Sequence, residues 1–123
     1  MIKLSVSDKG FALIRDGKVV TSKSFQGSVK REVVLRNLQR GILASKDLVK
    51  HEDVLVIEVS DSYVYNWLVD NSPNQKYMDS FSATHQAINK LICRYRFVKN
   101  LNPSVDTLEL EKLFIPTTDF KIN

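Results

Sequence analysis

The sequence carries a single cysteine, Cys93, in 123 residues. No disulfide can form within the chain, and a cysteine-based metal cluster is excluded. Cys93 follows Leu91-Ile92 and reads as a small buried hydrophobe. Long apolar runs are missing too: none approaches the roughly 18 residues that a membrane helix requires. The opening residues, MIKLSVSDKG, lack the apolar centre of a signal peptide. The expected setting is reducing and cytoplasmic, with no membrane partner. There is no internal repeat, low-complexity tract or linker. One domain over 1–123, with a core that needs no cross-link, is the expectation for this length. An excess of charge of one sign is nearly absent: 18 basic against 14 acidic residues give +4 and a pI near 9.2. That mild excess is compatible with a nucleic-acid partner and does not establish one.

What is present is organised around Val54–Asp70, VLVIEVSDSYVYNWLVD. Six residues with only Glu58 polar have the length and character of a strand covered on both faces. Ser60-Asp61-Ser62 then ends the strand, and an aromatic run predicts a helix over 62–69. Ligands in open α/β sheets collect at the carboxyl ends of strands, which draws attention to Asp61.

The remaining pattern can be read in order. Residues 2–8 alternate as a strand. FALIR (11–15) and KVVTSKSF (18–25) flank Asp16-Gly17, a strong hairpin signal. Ser28 is a candidate N-cap for a helix from Val29 to about Leu43, with Leu35, Leu38 and Ile42 on one stripe. A helix over about 77–92 is expected to present Met78, Phe81, His85, Ile88 and Ile92. RYRFVK (94–99) predicts a strand. Asn102-Pro103 predicts the start of a last short helix carrying Val105, Leu108 and Leu113 and stopping before Pro116. The order βββ-α-β-α-α-β-α implies a mixed sheet, with the fourth strand parallel to the first through a right-handed crossover.

Four acids fall at telling places: Asp8 at the end of the first strand, Glu32 in the first turn of the first helix, Asp61 after the fourth strand, and Asp106 early in the last helix. Clustered carboxylates repel unless a cation is present. Two divalent ions about 4 Å apart would relieve the repulsion and clamp the oxygens of a phosphoryl displacement. Oxygen donors suit Mg²⁺ or Mn²⁺ rather than zinc. Each acid also has a structural alternative: Asp61 as an N-cap, Glu32 as a complement to the helix dipole, Asp8 as a turn residue, Asp106 as first-turn decoration.

These residues, in this order of elements, resemble the ribonuclease H family from Ile2 to about Phe114. The first strand with Asp8, KREVVLRNL with Glu32, VLVIEVSDSYVYNWL with Asp61, and RYRFVKNLNPSVDTLEL with Asp106 each resemble a family segment. The resemblance implies an α/β fold: a five-stranded mixed sheet, with a three-strand antiparallel meander plus parallel strands, flanked by helices. It implies a two-metal endonuclease that hydrolyses the RNA strand of RNA–DNA hybrids with Mg²⁺ or Mn²⁺ held by Asp8, Glu32, Asp61 and Asp106. Lys9, Lys30, Arg31 and Ser62 flank these acids and are the expected nucleic-acid contacts, a solvated surface being the alternative for the cations. A monomer is expected.

Two departures stand out. Lys9-Gly10 follows Asp8 where the family has Gly directly, and Lys99–Val105 carries no histidine. There is also no room for a basic helical handle. These motivate the alternative, a catalytically degenerate binding or inhibitory module with a possible protein partner. His85 reads as a packed histidine and His51 as exposed. Tyr63, Tyr65 and Trp67 read as packing residues, with base stacking the alternative. Arg94 and Arg96 read as a solvated strand face or a strip contacting phosphates.

Overall fold

A computed structural model describes residues 1–25 and 27–108. Strands β1 (Ile2–Val6), β2 (Gly10–Arg15) and β3 (Lys18–Ser24) come first. Helix α1 (Lys30–Ser45), β4 (Val54–Val59) and α2 (Ser62–Asp70) follow. Helix α3 (Met78–Ile88), entered through a 3₁₀ turn at Gln75–Tyr77, precedes β5 (Arg94–Lys99) and a second 3₁₀ turn, Ser104–Thr107. The five strands form one sheet in the order β3-β2-β1-β4-β5. β1–β2 and β2–β3 are antiparallel, whereas β1–β4 and β4–β5 are parallel. This is the mixed sheet the element order predicts.

The β2–β3 hairpin forms because Asp16 and Gly17 both take positive φ, 51° and 81°. That pair is what a tight primed turn demands. Successive strand side chains point to opposite faces, which splits the sheet chemically. One face carries Leu4, Val6, Phe11, Leu13, Leu55, Ile57 and Val59 into a core with Val34, Leu35, Leu38 and Ile42 of α1. α1 lies close on that face at Gly41, where a Cβ would sit 2.8 Å from Leu4 Cδ1 and 3.3 Å from Phe11 Cβ. Val64 and Leu68 of α2 and Phe81 and Ile88 of α3 complete the same core. On the other face Ser5, Ser7 and Glu58 reach the Ser104–Thr107 turn.

Four expectations need correction. β1 stops at Val6 rather than Asp8, because the chain turns at once: Ser7 N–H donates to Gly10 O at 3.0 Å, and Lys9 N–H donates to Ser7 Oγ at 3.0 Å. α1 starts after Val29, with no side-chain cap, so Ser28 does not cap it. α3 is shorter than 77–92, and Met78 and Ile92, expected on its buried stripe, are exposed; Thr84 and Ala87 are buried instead, beside Phe81 and Ile88. Asp106 sits in a four-residue 3₁₀ turn rather than an α-helix, while Leu113 and Pro116 lie outside the described residues. Among the described residues no helix is long and apolar enough to cross a membrane.

Candidate functional site at the strand-end edge

The parallel register pairs Val6 with Val59 and continues one residue further, where Ser60 N–H donates to Val6 O at 3.2 Å. The segments carrying Asp8 and Asp61 therefore leave the sheet side by side. The N-terminus of α1 comes to the same edge: Arg31 reaches Asp61, and the amide of Asn37, wholly buried, donates to Ser7 O at 2.9 Å. Lys99, the last residue of β5, is paired in register with Val59 and so ends at this edge as well.

Three of the four acids have a particular neighbour among the described residues. Asp61 caps α2: its Oδ1 accepts from Tyr63 N at 2.9 Å and from Val64 N at 3.0 Å. Its Oδ2 faces Arg31 Nε at 3.7 Å, and the side chain is only 9% exposed. Glu32 pairs with Arg36, one helical turn on, at 3.1 Å. Asp106 Oδ1 accepts from Ser7 Oγ at 2.6 Å. Asp8 stands in the β1–β2 turn and joins no ion pair among the described residues. Asp8, Asp61 and Asp106 thus lie toward this end of the sheet, while Glu32, Asp61 and Asp106 are each tied to a local partner. Among the described residues no group of three or more His, Cys, Asp or Glu side chains could hold a metal ion. As arranged, these donors do not fit the Mg²⁺ or Mn²⁺ pair that the resemblance implies.

The rim is cationic and aromatic. Lys9 and Lys30 are exposed, and Ser62 opens α2. The Arg31 guanidinium lies 4.0 Å above the Tyr63 ring, and Tyr63 is 58% exposed. Tyr63 is therefore not the packing residue that its aromatic run suggests. Trp67 is: it stacks on Tyr77 at 5.4 Å against the core. Lys99 Nζ stands 6.0 Å from the Tyr65 ring. His85 leans on Phe81, His51 is exposed, and Arg94 and Arg96 are exposed on the edge strand.

Sequence reasoning passed over Glu58. Its carboxylate, buried on the far face, accepts from Ser5 Oγ at 2.7 Å, Asn100 Nδ2 at 2.9 Å and Ser104 N at 2.8 Å, with Lys3 Nζ at 3.9 Å. Burial pulls its pKa up, but the Asn100, Ser104 and Ser5 donors and the Lys3 charge outweigh that and leave it below the ordinary carboxylate value. Val105 N–H also donates to Ser5 Oγ, at 2.9 Å. Glu58 and Ser5 together fasten the turn that carries Asp106 against β1. The available signal was the one polar residue in an otherwise apolar strand.

No known protein family's sequence profile matches the chain, and no curated protein sequence matches it either. Among solved structures it is similar to ribonuclease H1 from the halophilic archaeon Halobacterium salinarum NRC-1. The TM-score is 0.61 and the identity 10%, over 80% of this chain and 83% of that one. At that identity the likeness is one of fold: the domain has a ribonuclease H-like architecture.

Proposed function

We propose that this chain is a nucleic-acid-binding domain on a ribonuclease H-like scaffold, taking its ligand along the edge where β1, β4 and β5 end. One observation carries the reading: the Arg31 guanidinium lies over the ring of Tyr63, which is 58% exposed, beside the largely covered Asp61 carboxylate. A guanidinium on a tyrosine offers a base a stacking platform and a phosphate a cation at one place. Base–aromatic stacking is worth about 1–3 kcal/mol per base. Lys9, Lys30 and Lys99 add phosphate attraction without sequence preference.

The test is fluorescence polarisation with labelled RNA–DNA hybrid, single-stranded RNA and duplex DNA, in chelator at low salt. Binding in the range of about 10⁻⁶–10⁻⁴ M that weakens steeply with salt supports the reading. Tyr63→Ala should weaken it about tenfold, in line with the loss of one stacked base. A folded protein that shifts none of the three probes overturns it.

A second reading is Mg²⁺- or Mn²⁺-dependent hydrolysis of the RNA strand of a hybrid. The arrival of Asp8, Asp61, Asp106 and the α1 turn bearing Glu32 at one edge favours it, together with the fold shared with a ribonuclease H1. Its test is cleavage of a labelled hybrid with Mn²⁺ that Asp61→Asn abolishes. An uncut hybrid in the presence of folded protein counts against it and leaves the binding assay untouched.

A further inference from the structure

Asp61 uses its two oxygens differently. Oδ1 is taken by the first turn of α2, which lies against it through two backbone donors. Oδ2 remains, and the group facing it is Arg31, at 3.7 Å. With the side chain only 9% exposed, a nearby positive charge stabilises this carboxylate. That charge comes from the chain. Arg31 is held by its ring contact with Tyr63 rather than by a bidentate fork, and its buried Nε has no hydrogen-bond partner among the described residues. Its distance from Oδ2 exceeds that of a good charge-assisted hydrogen bond. The guanidinium compensates the carboxylate without being bonded tightly to it. A divalent cation at Oδ2 would lie beside the Arg31 charge, and like charges repel there.

We propose that Arg31 is the resident counter-cation of this acidic edge: it holds the place at Asp61 Oδ2 that a divalent cation would take, so the wild-type chain leaves such cations unbound there. Arg31 is then one cause of the mismatch between the acids and a metal pair, beside the partners that hold Glu32 and Asp106. The idea rests on reading this edge as the ligand site, but its test contains no nucleic acid. A failure of nucleic-acid binding is therefore seen separately, in the polarisation assay.

The experiment is titration of the full-length chain with MnCl₂, followed by calorimetry and by water-proton relaxation. Wild type should bind Mn²⁺ weakly, and so should Lys90→Ala, the charge match for Arg31→Ala, in which an exposed lysine away from this edge is removed. Arg31→Ala should gain one site at least about tenfold tighter, a difference worth 1.4 kcal/mol. Adding Asp61→Asn to Arg31→Ala should return it to the wild-type curve. The proposal is overturned if wild type and Arg31→Ala bind alike, whether both tightly or both weakly, or if the gain survives Asp61→Asn. Circular dichroism checks folding. If Arg31→Ala does not fold, Arg31→Gln removes the charge, keeps much of the side chain's reach over Tyr63, and is judged by the same outcomes.

Discussion

Removing the Glu58 carboxylate should be among the most damaging single changes away from the apolar core. Glu58→Ala leaves three donors without their acceptor: Ser5 Oγ, the Ser104 N–H and Asn100 Nδ2. A donor left unsatisfied in a buried place costs about 1–3 kcal/mol, and Asn100, half-buried, recovers part of its share from water. The sum is about 3–5 kcal/mol, set against a total of about 5–15 kcal/mol for a domain of this kind. At about 4 °C per kcal/mol the melting temperature should fall by roughly 12–20 °C. Glu58→Gln is milder, at about 1–2 kcal/mol. Its amide oxygen can replace Oε1 and serve Ser5 and Ser104. Its NH₂ then faces Asn100 Nδ2, and Asn100 cannot simply flip, because its Oδ1 accepts from Asn102 N at 3.0 Å.

The pH dependence has a definite sign. The folded-state pKa of Glu58 is depressed, so its stabilising contribution is complete above the unfolded carboxylate value, about 4.3, and is lost as pH falls through the folded value. Urea titrations of wild type and Glu58→Gln should differ by a constant amount between about pH 5.5 and 7 and draw together as pH falls below about 4.3 and on through the depressed folded value. A Glu58→Ala variant within about 0.5 kcal/mol of wild type would refute the reasoning, since that is the range of ordinary surface substitutions. So would a difference between the curves that ignores pH.

Other expectations can be checked with the same denaturation assay. Gly41→Ala places a methyl 2.8 Å from Leu4 Cδ1, so crowding of about 1–3 kcal/mol should exceed the helix-propensity gain of about 1 kcal/mol. A stability equal to or above wild type would count against that packing, and Leu4→Val should restore part of the loss. Asp61→Ala should cost about 1 kcal/mol through the lost α2 cap while Asp61→Asn costs little, because Asn caps nearly as well. Equal losses in the two variants would mean that the cap is not what Asp61 contributes. Burial pushes the Cys93 thiol up, so alkylation by iodoacetamide should be at least about tenfold slower in the folded chain than in urea. Equal rates would place the thiol at the surface.

Much of the fold was legible because it rests on short-range rules. Period-two alternation gave β1–β3, the Asp16-Gly17 pair gave the hairpin, and the apolar run gave β4 with its residue limits unchanged. What escaped were features fixed by partners distant in sequence. Ser28 had the chemistry of a cap, yet the backbone enters α1 through Val29, where Gly27 passes so close that a Cβ would lie 2.7 Å from Val33 Cγ2. Met78 and Ile92 continue the α3 stripe on paper, but α3 gives way to a turn after Ile88. Glu58 looked like a blemish in an apolar strand because its donors lie 42 to 53 residues away along the chain.

The acids show the same division between pattern and partner. Their order along the chain, and the common end of the sheet where Asp8 and Asp61 follow their strands, come from topology, and topology was readable. Their mutual geometry depends on two local devices that periodicity does not reveal. The first is the tight turn at Ser7–Gly10, which ends β1 early and takes Asp8 out of the strand alternation that Leu4 and Val6 follow. The second is the stacking of Arg31 on Tyr63, which brings a cation to Asp61 from within the chain. Either device changes what the edge can hold without altering the fold. A shared architecture at 10% identity therefore leaves the chemistry of the edge to these few side chains, and Arg31 is where the binding and hydrolytic readings diverge.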